Sequence, residues 1–160
     1  MNSSRVARIA IFSTLCVIGS FIHLPSPIST VAFDSWPGFF SALYFGAIDG
    51  ALIAGIGHIA TSIINGFPLG ILHLFIAIGM GFVGWMIGVV NRILKNQKFG
   101  FIIALICGIA INTMLFVIAV PVIGWLNAIA FVPFLLIAAS LNGLVAGFAY
   151  VGLKSRAIKR

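Results

Sequence analysis

Few side chains in this sequence could do chemistry, and most of them fall within residues 31–80. That stretch holds both carboxylates of the chain, Asp34 and Asp49, and two of its three histidines, His58 and His73. Thr61, Ser62 and Asn65 lie there too, while Asn112, Thr113, Ser140 and Asn142 interrupt apolar runs further on. An imidazole or carboxamide both donates and accepts hydrogen bonds, and a carboxylate accepts them. Asp34, His58, Asn65, His73 and Asn112 are therefore the candidates to contact a ligand. Phe33, Trp36, Phe67 and Trp125 add aromatic faces on which a planar ring could stack. Each residue also has a plainer role open to it. Asp34 could cap a helix starting near Pro37, Trp36 could sit in an interfacial belt, and Ser140 and Asn142 could bond helix to helix.

Other chemistries find little support. There is no Gly-x-Ser-x-Gly, no His-Glu-x-x-His and no phosphate loop, so the chain is not expected to be an enzyme. His23, His58 and His73 with Asp34 make a metal set on paper. No two of these histidines stand four apart on one helix, and neither a metal nor another cofactor is expected. Cys16 and Cys107 lie in apolar runs without clip spacing, as buried packing residues do.

The elements that must position these groups are membrane helices. A mean hydropathy of +1.25, with 62% hydrophobic and 7% charged residues, departs from the roughly 25% charge of soluble domains. Apolar runs near 20 residues match a bilayer core of ~30 Å. The net charge of +7 is gathered at Arg5 and Arg8, at Arg92, Lys95 and Lys98, and at Lys154, Arg156, Lys159 and Arg160. Short loops rich in Lys and Arg stay in the cytoplasm, against anionic lipid. The charge thus points to a membrane surface and away from nucleic acid.

The expected fold class is an all-α integral membrane bundle of six transmembrane helices in one domain, 1–160, with both termini cytoplasmic. Its spans are expected at about 5–23, 37–48, 50–64, 68–91, 99–120 and 129–153, with an outer loop at 24–36. Basic residues precede the first apolar run, but no small-residue cleavage site follows it before Pro25, so this run reads as a retained span. Parity decides the middle. If residues near 8 and near 92 are both cytoplasmic, an even number of spans separates them, which demands two short helices hinged at Asp49-Gly50. Asp49 then lies near the cytoplasmic face, whereas mid-bilayer it would cost roughly 3 kcal/mol. Asp34, Asn65, His73, Asn112 and Trp125 fall in the outer half and His58 near mid-depth, so an outward-facing pocket under the first loop is expected.

The combination of FDSWPGFF, GHIATSIINGFPLG and LHLFIA resembles the substrate-binding S components of energy-coupling factor (ECF) vitamin transporters. Within that group it is most similar to the alpha-ribazole transporters of cobalamin salvage. The resemblance implies a bacterial plasma-membrane protein that binds a vitamin or precursor under its first outer loop. It also implies docking through the first helices on a transmembrane scaffold subunit, which carries two cytoplasmic ATPases, and toppling of the S component to release substrate. The family's alanine-x-x-x-alanine docking motif is met here only by Ala10 and Thr14, with Ala7 a turn earlier. A benzimidazole riboside suits the aromatic and small polar residues named above. Another neutral vitamin, pyridoxine-like or thiamin-related, and a transition-metal carrier stay open as alternatives.

Overall fold

The computed structural model describes residues 3–23, 26 and 31–158. Among these it holds six α-helices: α1 (Ser3–Ser20), α2 (Trp36–Tyr44), α3 (Ala47–Ile64), α4 (Leu72–Ile93), α5 (Gly100–Met114) and α6 (Val120–Ile158). A 3-10 turn, Leu115–Ala119, joins the last two. No strand occurs among the described residues; a single antiparallel bridge pairs His23 with Ala32 and brings the end of α1 beside the approach to α2.

Three helical stretches are long and apolar enough to cross a membrane: Ala47–Ile64, Leu72–Ile93 and Gly100–Ser155. The last spans 56 residues, more than twice the ~20 that one crossing needs. It is broken by the 3-10 turn and by Gly124, whose φ of 76° and ψ of 162° are not helical. The exterior is correspondingly apolar, with Ile78 73%, Phe148 76% and Leu126 84% exposed. Such a surface is stable only against lipid or a partner.

The core is a cluster contributed by α2, α3, α4, α5 and α6, in which Phe39, Val83, Ile87, Ala104 and Ala146 are wholly enclosed. α3 and α4 pack closest, because Gly84 lets the Gly50 carbonyl of α3 lie directly against α4; a Cβ at 84 would overlap it. α1 lies across α3, where Ile9, Cys16 and Ile53 form a second cluster.

Several boundaries differ from the sequence expectation. The hinge expected at Asp49-Gly50 lies at Gly46, whose φ of 106° is open to glycine and strained for other residues. Asp49 instead occupies the first turn of α3, where a negative charge meets the positive end of the helix. α2 has nine residues, about 14 Å of helix, and so is too short to cross alone. α4 begins at Leu72 and not at Pro68, because Gly66, Phe67 and Gly70 all take positive φ. In the segment expected as an outer turn, 121–127, Pro121 falls in the first turn of α6, where its missing N–H costs nothing, and the helical path then breaks at Gly124.

At the end of the molecule that gathers Arg5, Arg8, Arg92 and Lys95, Asp49 is 4% exposed. Arg5 Nε and Arg8 Nη2 reach its two oxygens, each at 2.6 Å. The Arg8 guanidinium also lies over the Phe45 ring, 4.4 Å from its centroid.

Candidate functional site

At the opposite end, residues 31–35 close over the ends of α3 and α4 and the middle of α6. What fixes them is Asn142, a wholly buried side chain of α6. Its Oδ1 accepts the backbone N–H of Ser35 at 3.0 Å and of Trp36 at 2.8 Å. Its Nδ2 donates to the carbonyls of Ala32 at 3.1 Å and Ala138 at 2.9 Å. α2 has no side-chain cap of its own from Ser35, so this carboxamide satisfies N–H groups that a helix start leaves free. All the hydrogen-bonding capacity of Asn142 is used on backbone.

Beneath this loop is a cavity of about 80 Å³. Asp34 and Ser35 line it from the loop, His58 from α3, His73 from α4, Asn112 from α5 and Asn142 from α6. Apolar walls come from Leu115, Phe116 and Ala119 of the 3-10 turn and from Phe131 and Leu135 of α6. No lysine or arginine lines it.

The two histidines touch. His73 is fully enclosed; its Nε2 accepts the Leu69 N–H at 3.3 Å, so in the neutral ring the proton sits on Nδ1. Nδ1 then faces Ser62 Oγ at 3.0 Å and His58 Nε2 at 3.3 Å. Ser62 gives its own proton to the His58 carbonyl at 2.7 Å, which leaves its oxygen free to accept from His73. The result is a directed chain, from His73 to Ser62 and His58, that fixes both rings beside the cavity.

Asp34 is 8% exposed. Its Oδ1 accepts the Ser35 hydroxyl at 3.0 Å. Burial raises its carboxyl from the ordinary 3.8 to about 6, partly offset by that hydroxyl. Thr61 also lowers it but forms no hydrogen bond of full geometry, and its buried hydroxyl has no partner among the described residues. Asn112 forms no side-chain hydrogen bond to a described residue, so its amide is open to the cavity it lines.

Of the residues expected at the site, the structure brings together Asp34, His58, His73 and Asn112. The other five are placed off the walls. The Phe33 carbonyl packs against Gly19, and Trp36 packs on the α2–α4 core. Asn65 ends α3 and bonds His23 Nε2 at 2.9 Å. Phe67 takes a φ of 50° and sets its ring edge to His73, 5.6 Å between centroids. Trp125 is 60% exposed and directly follows the break at Gly124. In sequence Asn142 reads as a helix-packing residue, and nothing there foretells its hold on the loop. The 3-10 residues Leu115, Phe116 and Ala119 also escape sequence reasoning, since they read as part of a plain apolar span. Among the described residues no group of three or more His, Cys, Asp or Glu side chains is placed to hold a metal ion.

On α1, Ala7, Ala10 and Thr14 are all exposed and share one face. The Thr14 hydroxyl donates to the Ala10 carbonyl at 2.9 Å, so its polar group is absorbed and a small, smooth surface remains.

No curated protein and no solved structure matches the chain. A family model described as "ECF transporter, substrate-specific component" matches residues 4–153. That match takes in every element that builds the cavity and the exposed face of α1. The chain belongs to the family of substrate-specific components of ECF transporters, membrane subunits that take a small-molecule substrate and work with the partners of an ECF module.

Proposed function

We propose that this protein is the alpha-ribazole-binding S component of an ECF importer in a bacterial plasma membrane. The observation that carries the substrate reading is the cavity itself. It offers the buried Asp34 carboxylate, the His58 imidazole and the Asn112 carboxamide, with apolar walls and no lysine or arginine among the described residues that line it. A phosphorylated or polyanionic vitamin would meet only a carboxylate there, whereas ribose hydroxyls can donate to Asp34 and exchange hydrogen bonds with His58 and Asn112. The benzimidazole would lie against the apolar side formed by Leu115, Phe116 and Phe131. At about 80 Å³ the cavity is below the 300–1,000 Å³ of ordinary ligand sites. A riboside therefore enters only as the walls separate.

In this reading the chain passes through the membrane six times, the loop of residues 31–35 and the short α2 together making the pass that α3 reverses, and both termini are cytoplasmic. The Arg5–Asp49–Arg8 cluster then faces the cytoplasm and the cavity faces outward. The small-residue face of Ala7, Ala10 and Thr14 docks on the scaffold subunit, and two ATPases on that scaffold drive uptake.

The test begins with mass spectrometry of ligand released from the purified protein, followed by titration calorimetry with alpha-ribazole. One hydrogen bond to a buried ligand contributes about 0.5–1.5 kcal/mol, more where a charge is involved. Asp34→Ala and Asn112→Ala are therefore expected to weaken binding by about 3- to 30-fold. A released pyridoxine-like or thiamin-related compound would replace the substrate and keep the site. Unchanged affinity in both variants, at normal melting temperature, would move the site elsewhere.

A further inference from the structure

On the lipid-facing side, α5 and α6 leave between them a groove of about 480 Å³. Its floor is made by Gly143 and Gly147, which stand a turn apart on α6. A Cβ at 143 would lie 2.8 Å from Ile109, and one at 147 would lie 3.3 Å from Leu105. The rims are large and apolar, with Ile106 60%, Leu144 56% and Phe148 76% exposed. Ser140 is the one polar residue on its walls.

The groove has a charged end. Phe101 and Tyr150 meet there with ring centroids 5.5 Å apart, which sets the start of α5 beside the end of α6. Lys98 stands three positions before Phe101, and Lys154 three after Val151; both are exposed. Lys154 Nζ donates to the Tyr150 hydroxyl at 3.2 Å and lies over its ring at 5.3 Å. Neither lysine forms a salt bridge among the described residues. The chain has two acidic side chains in all. One, Asp49, is held by two arginines, and the other, Asp34, is buried beneath the loop. No carboxylate side chain of this protein is left to balance these lysines.

The length of the groove narrows the occupant. From Phe101 to Ile109 it follows α5 for about 12 Å, and from Val151 back to Ser140 it follows α6 for about 16 Å. Half of a ~30 Å hydrocarbon core is about 15 Å. The groove is thus one leaflet deep, open to lipid, apolar along its length and cationic at the membrane surface. A partner helix crossing the bilayer would need a seam about twice as long. We propose that the α5–α6 groove is a binding site for one anionic phospholipid, with an acyl chain along Gly143 and Gly147 and the phosphate held between Lys98 and Lys154. Basic pockets between membrane helices on the cytoplasmic side are of the kind that holds anionic headgroups.

Native mass spectrometry tests this on the purified full-length protein, delipidated and then offered dioleoyl phosphatidylglycerol or dioleoyl phosphatidylcholine. A juxtamembrane lysine contributes roughly 5-fold toward anionic lipid, so retention of a single phosphatidylglycerol is expected to exceed that of phosphatidylcholine by about 30-fold. The double variant Lys98→Gln with Lys154→Gln is expected to bring the two lipids to near parity with the melting temperature unchanged. Leu144→Trp, which fills the groove, is expected to lower retention of both lipids. Equal retention by the wild type would overturn the proposal, as would a preference that survives the double lysine change. Displacement of the lipid by inorganic phosphate at equal concentration would reduce the site to a simple anion contact. Cross-linking of a Phe148→Cys variant to the scaffold subunit in the assembled transporter, without retained lipid, would assign the groove to a protein partner.

Discussion

The two aspartates occupy opposite ends of the molecule and are about equally buried, Asp34 at 8% and Asp49 at 4% exposure. Their surroundings differ completely. Asp49 stands at a helix start and receives two guanidinium groups at 2.6 Å, so its charge is balanced on the spot. Asp34 has a serine hydroxyl at 3.0 Å, no salt bridge among the described residues, and a carboxyl raised to about 6 by burial. A buried carboxylate that is neutralised ties helices together. One left without a cation costs stability, and that cost is a reason to look for a ligand beside it. The contrast in surroundings therefore separates a clamp from a carboxylate whose burial no cation offsets among the described residues.

The largest expected effect comes from removing what holds Asp34 in place. Asn142→Ala deletes four hydrogen bonds and leaves two N–H groups and a loop carbonyl buried. Each such orphan costs about 1–3 kcal/mol, so a loss of about 4 kcal/mol is expected in denaturant unfolding of the detergent-solubilised protein. A loss below about 1 kcal/mol would show that the Asp34 end does not depend on this side chain.

Next is the pH response of Asp34. Its folded pKa, about 6, lies above the ordinary 3.8, so the folded state holds the proton more tightly than the unfolded state. The associated stability is complete below about pH 4 and is lost as pH rises through about 6, with no further change above. Two units correspond to about 3 kcal/mol, so the wild type should unfold more readily at neutral pH than near pH 4.5. Asp34→Asn should flatten that profile between pH 4 and 7. A slope that persists in Asp34→Asn belongs to another group.

Asp49→Asn is expected to cost less, about 2 kcal/mol, because the arginine side chains are 30% and 34% exposed and water partly replaces their partner. High salt should narrow the gap between variant and wild type by screening the native pair. If Asp49→Asn proves more damaging than Asn142→Ala, the charged end and not the loop is the principal fastening of the fold.

The helical, membrane-bound class was legible because long apolar runs punctuated by clustered cations suit a bilayer and little else. Helix limits were less so. Asp49-Gly50 reads as a turn, yet the chain bends three residues earlier at Gly46, because Asp49 gains more from the α3 start and from two arginines 44 and 41 positions away in sequence. Pro121 reads as punctuation but begins α6. The polar half of the cavity was visible as costly groups in apolar runs, and Asp34, His58, His73 and Asn112 meet there. The aromatic half was not. Trp36, Phe67 and Trp125 stand out for their ring chemistry, but which way a ring faces is decided by helix phase and by long-range packing. Asn142 shows the same limit, since its four partners include residues more than 100 positions away.

That separation has a consequence for how the protein is made. The ribosome delivers the chain from its N-terminus, so α2 and the loop before it enter the membrane long before residue 142 is synthesised. Until α6 is inserted, the Ser35 and Trp36 N–H groups have no carboxamide to meet, and the loop of residues 31–35 has nothing on α6 to hold it. The last helix to arrive is therefore the one that completes the first part of the cavity. Nascent chains that stall before α6 would carry the histidines and Asp34 but no formed site, so ligand stabilises only finished molecules. A substrate present during synthesis would then favour chains in which α6 has been inserted.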